Sequence, residues 1–267
     1  MDMVDSKGQD CLSTKRNTTV KKVLFGIPNE GHTECQAYDN RMEMTFHLGN
    51  LQVLSSLGLN EYGGKKFNIP PGVEYQFSIA TVGQVLTPLA RERLAEHAYE
   101  DGFEYLFMVD DDMLVPVDLF EKLVIHDVDI CAALAFTRSA PHKPVVYNLE
   151  TGWDAVRGER YYINHSVPTY PKDQLVRCDA VGFGAVLIKV KVLKEMKKPW
   201  FMSTSGAGED IWFCHKAGEA GFKVYMDTAT KLGHLGYPKV ITEAVYENES
   251  NVNEMREKHG DLDKYTQ

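Results

Sequence analysis

No two cysteines stand at Cys-x-x-Cys spacing, and the five in the chain, at 11, 35, 131, 178 and 214, are scattered and odd in number. Neither a zinc cluster nor a disulfide framework is indicated, and a reducing interior is the simplest home. Long apolar runs are missing too. Nothing approaches membrane-spanning length, and residues 1–19 are polar and mixed in charge, without the apolar centre of a secretory signal. Positive charge is in deficit: 29 Lys+Arg stand against 38 Asp+Glu. A net charge of −9 argues against an extended nucleic-acid groove and favours a small-molecule partner with a metal. The expectation is a soluble protein of the cytoplasm. With 267 residues, 43% of them hydrophobic and 25% charged, the chain has ample length for an α/β core.

The organising stretch is Phe103-Glu-Tyr-Leu-Phe-Met-Val-Asp-Asp-Asp-Met113, an apolar run of strand length that ends in three consecutive carboxylates. A buried strand delivering Asp110, Asp111 and Asp112 to a sheet edge concentrates negative charge that a hard divalent ion, Mg²⁺ or Mn²⁺, can neutralise. Such ions keep positions open for phosphate oxygens, so a metal-bound diphosphate is the expected ligand. The plain alternative is a solvated acidic turn before a helix starting near Pro116.

Along the chain, residues 1–19 read as a disordered leader. Lys21–Pro28 reads as a first buried strand whose end offers Pro28, Asn29 and Glu30 to a nucleotide pocket, since ligands in open α/β sheets sit beyond the carboxyl ends of strands. Helical spacing runs from Cys35 to Leu57, with Met44, Leu48, Leu51 and Leu54 apolar. A loop over 58–72 and a strand over Glu74–Ala80 precede a helix in which Thr87 is the expected cap and Pro88 the first residue. Arg91, one turn in, comes to the same rim as the acids; otherwise it is a surface arginine beside Glu92 or Glu96. Val128–Phe136 reads as a further buried strand. A hairpin over Trp153–Tyr162 and Tyr170 supply aromatics that suit a sugar or base, or a local core. Ala180–Val190 reads as one strand with room above Gly182 and Gly184, and a lysine-rich helix follows. Residues 199–208 have the composition of a mobile lid and lead into a helix opening on Glu209 and Asp210, which the helix dipole also favours there. Phe222–Asp227 is the expected last strand, His234 lies between two glycines, and the tail after Thr242 is expected to be partly helical.

Taken in order, these features resemble nucleotide-sugar-dependent glycosyltransferases of the GT-A fold, over roughly residues 21–236. Met108-Val-Asp-Asp-Asp-Met113 is similar to the Asp-x-Asp motif of that family. The resemblance implies that Asp112 binds the metal, that Asp110 binds ribose or metal, and that His234 completes the metal site. It also implies that Arg91 lies near the nucleotide and that Glu209-Asp210 is the acidic pair near the acceptor, with Asp210 the first choice and Glu209 the second as general base. The implied architecture is a single α/β, Rossmann-like domain with a mixed, mostly parallel central sheet flanked by helices. It would span 20–240, with a nucleotide half (20–136), an acceptor half (137–240) and a tail (241–267). The implied cofactor is Mn²⁺ or Mg²⁺ and the implied donor a nucleoside diphosphate sugar, UDP-sugar favoured. The compact layout is also similar to glycosyltransferases of bacteriophage genomes, some of which act on hydroxymethylated pyrimidines in DNA. That acceptor suits the lysine helix, Arg157 and Arg160, while the overall acidity counts against it; a saccharide is the other acceptor in view.

Three competing readings share these residues. A nucleotidyltransferase would carry a basic glycine-rich loop after the first strand, and Gly26–Gly31 has no basic residue. A catalytically inactive sugar- or nucleotide-binding module, or a metal-dependent phosphohydrolase, are the others.

Overall fold

The computed structural model describes residues 18–29, 35–155, 158–204, 206–236 and 239–249. Glu30, Arg157, and the side chains of Trp153, Arg160, Tyr161 and Tyr162, lie outside the described residues.

The chain opens with β1 (Thr19–Asn29), followed by α1 (Cys35–Leu57), a small hairpin of β2 (Glu61–Tyr62) and β3 (Lys65–Lys66), and β4 (Val73–Gly83). The four-residue apolar spacing of α1 buries Met44, Leu48 and Leu51 almost completely, each contributing roughly 1.5–3 kcal/mol of hydrophobic stabilisation. Then come α2 (Thr87–Glu100), β5 (Tyr105–Val109), β6 (Met113–Leu114), α3 (Leu119–Val124) and β7 (Ile130–Leu134). Thr87 is the first residue of α2 and not its cap: Leu86 holds that place without a side-chain cap bond, and proline occupies the first turn. The hairpin is β8 (Val146–Asp154) with β9 (Glu159–Ser166), and β10 (Leu175–Cys178) follows it.

The apolar run expected to be one strand is two. β11 (Ala180–Val181) joins the hairpin, and β12 (Ala185–Lys189) enters the main sheet. The break falls at Gly182-Phe183-Gly184, where added Cβ atoms would come within 2.8 Å of Val145 and of Met113 respectively. The chain can change sheets there because no side chain of its own blocks those neighbours. The order closes with α4 (Lys191–Glu195), α5 (Glu209–Glu219), β13 (Val224–Lys231), β14 (Gly233–Gly236), β15 (Lys239–Ile241) and α6 (Glu243–Glu249). Gly221, at φ +88°, turns the chain after α5 as a left-handed residue should. β13 is therefore not the last strand, and His234 sits in β14.

The main sheet has seven strands in the order β10-β13-β7-β12-β5-β1-β4. From the pairings, five strands run one way, and β12 and β10 run against them. The fold is thus mixed α/β. Its central strands are buried on both faces, and alternate residues divide between two cores. Leu106, Met108, Ile130 and Ala132 pack with Leu94 and Ala98 of α2 and Phe213 of α5. Tyr105, Phe107, Cys131 and Ala133 pack with Leu48 of α1 and Phe120 of α3. Helices on both faces leave the strand ends as the open edge where polar groups can gather. Among the described residues no helix is long and apolar enough to cross a membrane.

Candidate active site

β5 ends at Val109, so Asp110 to Asp112 emerge at the carboxyl edge of the five co-directed strands. α1 grips this acidic turn from one side. Arg41 Nη1 donates to the Asp111 carbonyl at 2.7 Å, and Asn40 exchanges two hydrogen bonds with the Val115 backbone, at 2.9 and 2.7 Å. From the other side the Asp110 amide donates to the Gly184 carbonyl at 2.9 Å. The carboxylates are therefore fixed by backbone bonds before any ligand arrives.

Arg91 reaches the same rim, but as a buried group. With 3% of its side chain exposed, its Nη2 bridges both Asp110 oxygens at 2.9 and 3.0 Å, Nε donates to Glu209 at 3.0 Å, and Nη1 donates to the Phe183 carbonyl at 3.1 Å. The guanidinium also lies 5.7 Å from the centre of the Phe183 ring. It is neither a surface arginine nor paired with its helical neighbours. Glu92 instead accepts the amides of Trp200 and Phe201, and Glu96 accepts Lys198. The apolar start of the segment expected to be a lid is thus pinned, with Trp200 and Phe201 buried.

Asp112 has a different set of partners. His234 Nε2 faces its Oδ2 at 3.1 Å, and Arg138 Nη1 lies 3.4 Å from the same oxygen. The other imidazole nitrogen, Nδ1, donates to the Phe136 carbonyl at 2.6 Å. A carbonyl can only accept, so Nδ1 carries hydrogen and Nε2 is the atom turned toward the carboxylate. The register that brings them together is the pairing of β14 with β6, His234 opposite Met113, reinforced by the Leu235 amide on the Asp112 carbonyl at 2.9 Å.

This chemistry tests the metal set read from the sequence. An oxygen and a ring nitrogen about one ion apart, the nitrogen held by a carbonyl behind it, fit a divalent cation. Asp110 turns both of its oxygens to Arg91. Among the described residues no group of three His, Cys, Asp or Glu side chains converges as a metal site. The pair leaves further coordination positions to water or a ligand.

Asp210 opens α5 next to Glu209. Its Oδ1 accepts the Ile211 amide at 2.7 Å, and a Cβ at Gly182 would lie 3.5 Å from its Oδ2. The room above Gly182 and Gly184 is taken by Val145 and Met113, so these glycines serve close packing. Asp111 is buried, its backbone held by Arg41. Pro28 and Asn29 end β1 beside β4, with Asn29 opposite Gly83. Tyr170 is half-buried, and its hydroxyl donates to Glu243 of α6. Lys191 and Lys198 of the basic stretch are matched by Asp129 and Glu96.

Burial pushes the Asp110 carboxyl up to about 7, with Arg91 opposing and Asp112, Glu209 and Asp210 adding to the rise. Burial likewise raises Asp210, helped by Glu209 and opposed by Arg91. Burial would raise Asp112 as well, but the hydrogen bond and charge of His234 and the charge of Arg138 outweigh it and hold that carboxyl below its ordinary value. Neighbouring acids are thus driven apart, one kept ionised and one made basic, as acid and base chemistry at neutral pH requires. A cavity of about 650 Å³ lined by Thr18, Ser55, Leu59 and Pro70 lies at the opposite end of β1, and its lining holds no titratable side chain.

Arg41, Asn40 and Arg138 were not visible as site residues in the sequence. The first two sit within the apolar spacing of a long helix, and Arg138 is one basic residue in a loop.

No protein-family model matches the chain, and no curated protein matches it. Solved structures do. A197 from STIV is 16% identical, with 83% of this chain and 93% of that chain covered and a TM-score of 0.49. Apo UDP-glucose pyrophosphorylase is 10% identical, covering 90% and 99%, with a TM-score of 0.43. GalNAc-T7 with UDP, GalNAc and Mn²⁺ is 11% identical, covering 82% of this chain and 44% of that one, with a TM-score of 0.39. None overlaps closely enough to transfer a residue's role.

Proposed function

We propose that the protein is a divalent-metal-dependent glycosyltransferase that moves a sugar from a nucleoside diphosphate sugar, a UDP-sugar first, to an acceptor hydroxyl. The observation that carries this reading is the oriented pair Asp112–His234 at the strand edge, alongside a second, half-buried carboxylate, Asp210, on the first turn of α5. Asp112 Oδ2 and His234 Nε2 would hold Mn²⁺ or Mg²⁺, and the ring nitrogen favours Mn²⁺. When bound, the cation would neutralise charge developing on the departing diphosphate.

The chain's own residues supply the rest. Glu209 is held by Arg91. Asp210 is therefore the base: its raised pKa suits it to take the acceptor hydroxyl proton. The acceptor oxygen bonds to the anomeric carbon as the bond from that carbon to the β-phosphate oxygen breaks. The nucleoside diphosphate leaves with the bonding electrons, and the proton rests on Asp210. Arg91 keeps Asp110 and Glu209 paired, so two of the four carboxylates do not repel the incoming diphosphate.

The test is a panel of nucleotide sugars with Mn²⁺, read by thermal stabilisation and release of nucleoside diphosphate. One sugar nucleotide should stabilise the protein and be slowly hydrolysed only with metal. No response from folded protein would overturn the reading, and formation of nucleoside triphosphate from sugar nucleotide and pyrophosphate would replace it with a nucleotidyltransferase.

A further inference from the structure

A diphosphate seated near Asp112 and Asp210, the two carboxylates that Arg91 does not pair, gains from a cationic contact beyond one divalent ion, and Arg91 is too buried to supply it. Arg138 is placed differently. Its side chain is 58% exposed, and its Nη1 lies 3.4 Å from Asp112 Oδ2, an ion pair longer than a charge-assisted hydrogen bond, on an oxygen already facing His234 at 3.1 Å. The loop that carries it is held on both sides: the Thr137 amide donates to the Lys143 carbonyl and the His142 amide to the Ser139 carbonyl, each at 2.9 Å. The base of the side chain is thus fixed on the rim while its head is loosely engaged.

We infer that Arg138 is a diphosphate-binding residue, occupying Asp112 until a divalent cation takes that oxygen and then turning its guanidinium to the phosphate oxygens. This rests on the donor reading above. Three physical points support it. With its guanidinium mostly in solvent, Arg138 gains little from this pair, so it is released at little cost. A cation on Asp112 Oδ2 competes for the very lone pairs that Arg138 faces. The planar fork of arginine matches two phosphate oxygens at once, which a point charge does not.

The experiment titrates Mn²⁺ alone, Mn²⁺ with inorganic pyrophosphate, and Mn²⁺ with UDP into wild type, Arg138→Ala and Arg138→Lys by calorimetry, with thermal melting to confirm folding. Arg138→Ala should weaken pyrophosphate and UDP roughly tenfold or more, as loss of a charge-assisted contact does. It should bind Mn²⁺ alone as tightly as wild type or more tightly, because a competitor for Asp112 is gone. Arg138→Lys should recover part of the anion affinity. Equal anion affinity in wild type and Arg138→Ala, or a parallel loss of Mn²⁺ alone, would overturn the inference. Wild type that binds Mn²⁺-pyrophosphate through Arg138 but no nucleotide would leave the assignment standing and remove the nucleotide-sugar reading. Wild type that binds no Mn²⁺ would remove both.

Discussion

Replacing Arg91 with methionine keeps much of the side-chain volume and removes one positive charge from a site that is 3% exposed. Two bonds to Asp110, one to Glu209 and one to the Phe183 carbonyl go with it. Breaking a buried charge network by deleting one partner costs about 3–5 kcal/mol, chiefly because the remaining charges stay buried without compensation. At roughly 2–4 °C per kcal/mol for a domain of this size, the melting temperature should fall by roughly 6–20 °C. The pH dependence carries the diagnosis. Asp110 is already pushed up to about 7 with Arg91 opposing that rise. Without Arg91, Asp110 should rise further above its unfolded value, so the folded state binds a proton that the unfolded chain does not. Stability then falls as pH rises. The deficit of Arg91→Met relative to wild type should be largest near pH 8 and shrink toward pH 5. Adding Asp110→Asn and Glu209→Gln to Arg91→Met should return much of the lost stability at pH 8. Denaturant titrations at several pH values give the measurement. A deficit under about 1 kcal/mol, or one flat with pH, would refute the view of Arg91 as the buried counter-ion of these acids.

Other predictions follow from the same geometry. Gly182→Ala places a Cβ 2.8 Å from the Val145 Cβ, an atom fixed to backbone, whereas Gly184→Ala meets the movable end of Met113 at the same distance. Overpacking should therefore cost about 2–3 kcal/mol at Gly182 and about 1 kcal/mol at Gly184; the reverse order in chemical denaturation would contradict the packing argument. Asp210→Asn should lower transfer about 10²–10⁴-fold while leaving metal-dependent nucleotide affinity within a few-fold, and an unchanged turnover would exclude Asp210 as base. Because the folded-state pKa of Asp210 is raised, its folded form holds a proton that the unfolded chain releases first, so wild-type stability declines with pH there. The stability of Asp210→Asn relative to wild type should accordingly improve from pH 4 to pH 8, measurable by parallel thermal melts.

What the sequence reveals depends on how local each signal is. The spacing of Met44, Leu48, Leu51 and Leu54 is enough to bound α1 at Cys35 and Leu57, as found. The run into Asp110 likewise locates β5. Ala180–Val190 misleads because an apolar run looks the same whether it stays in one sheet or crosses to another; only the distant Val145 and Met113 explain the break at Gly182 and Gly184. Arg91 could be placed on the rim by helix direction, but its burial depends on Glu209, 118 residues away. The strand that carries His234 was not legible, because β14 is held by the two-residue β6, too short to leave a periodic signal. Arg138 is found only through its proximity to Asp112.

The central claim is that Asp112 and His234 hold the divalent cation that receives the nucleotide. The most direct measurement is an electron paramagnetic resonance titration of Mn²⁺ into wild type, Asp112→Ala and His234→Ala, with and without UDP. Wild type should bind one Mn²⁺ per chain, more tightly with UDP present, and each variant should lose that site while remaining folded. Mn²⁺ bound equally by all three proteins, or UDP binding unaffected by metal, would contradict the account.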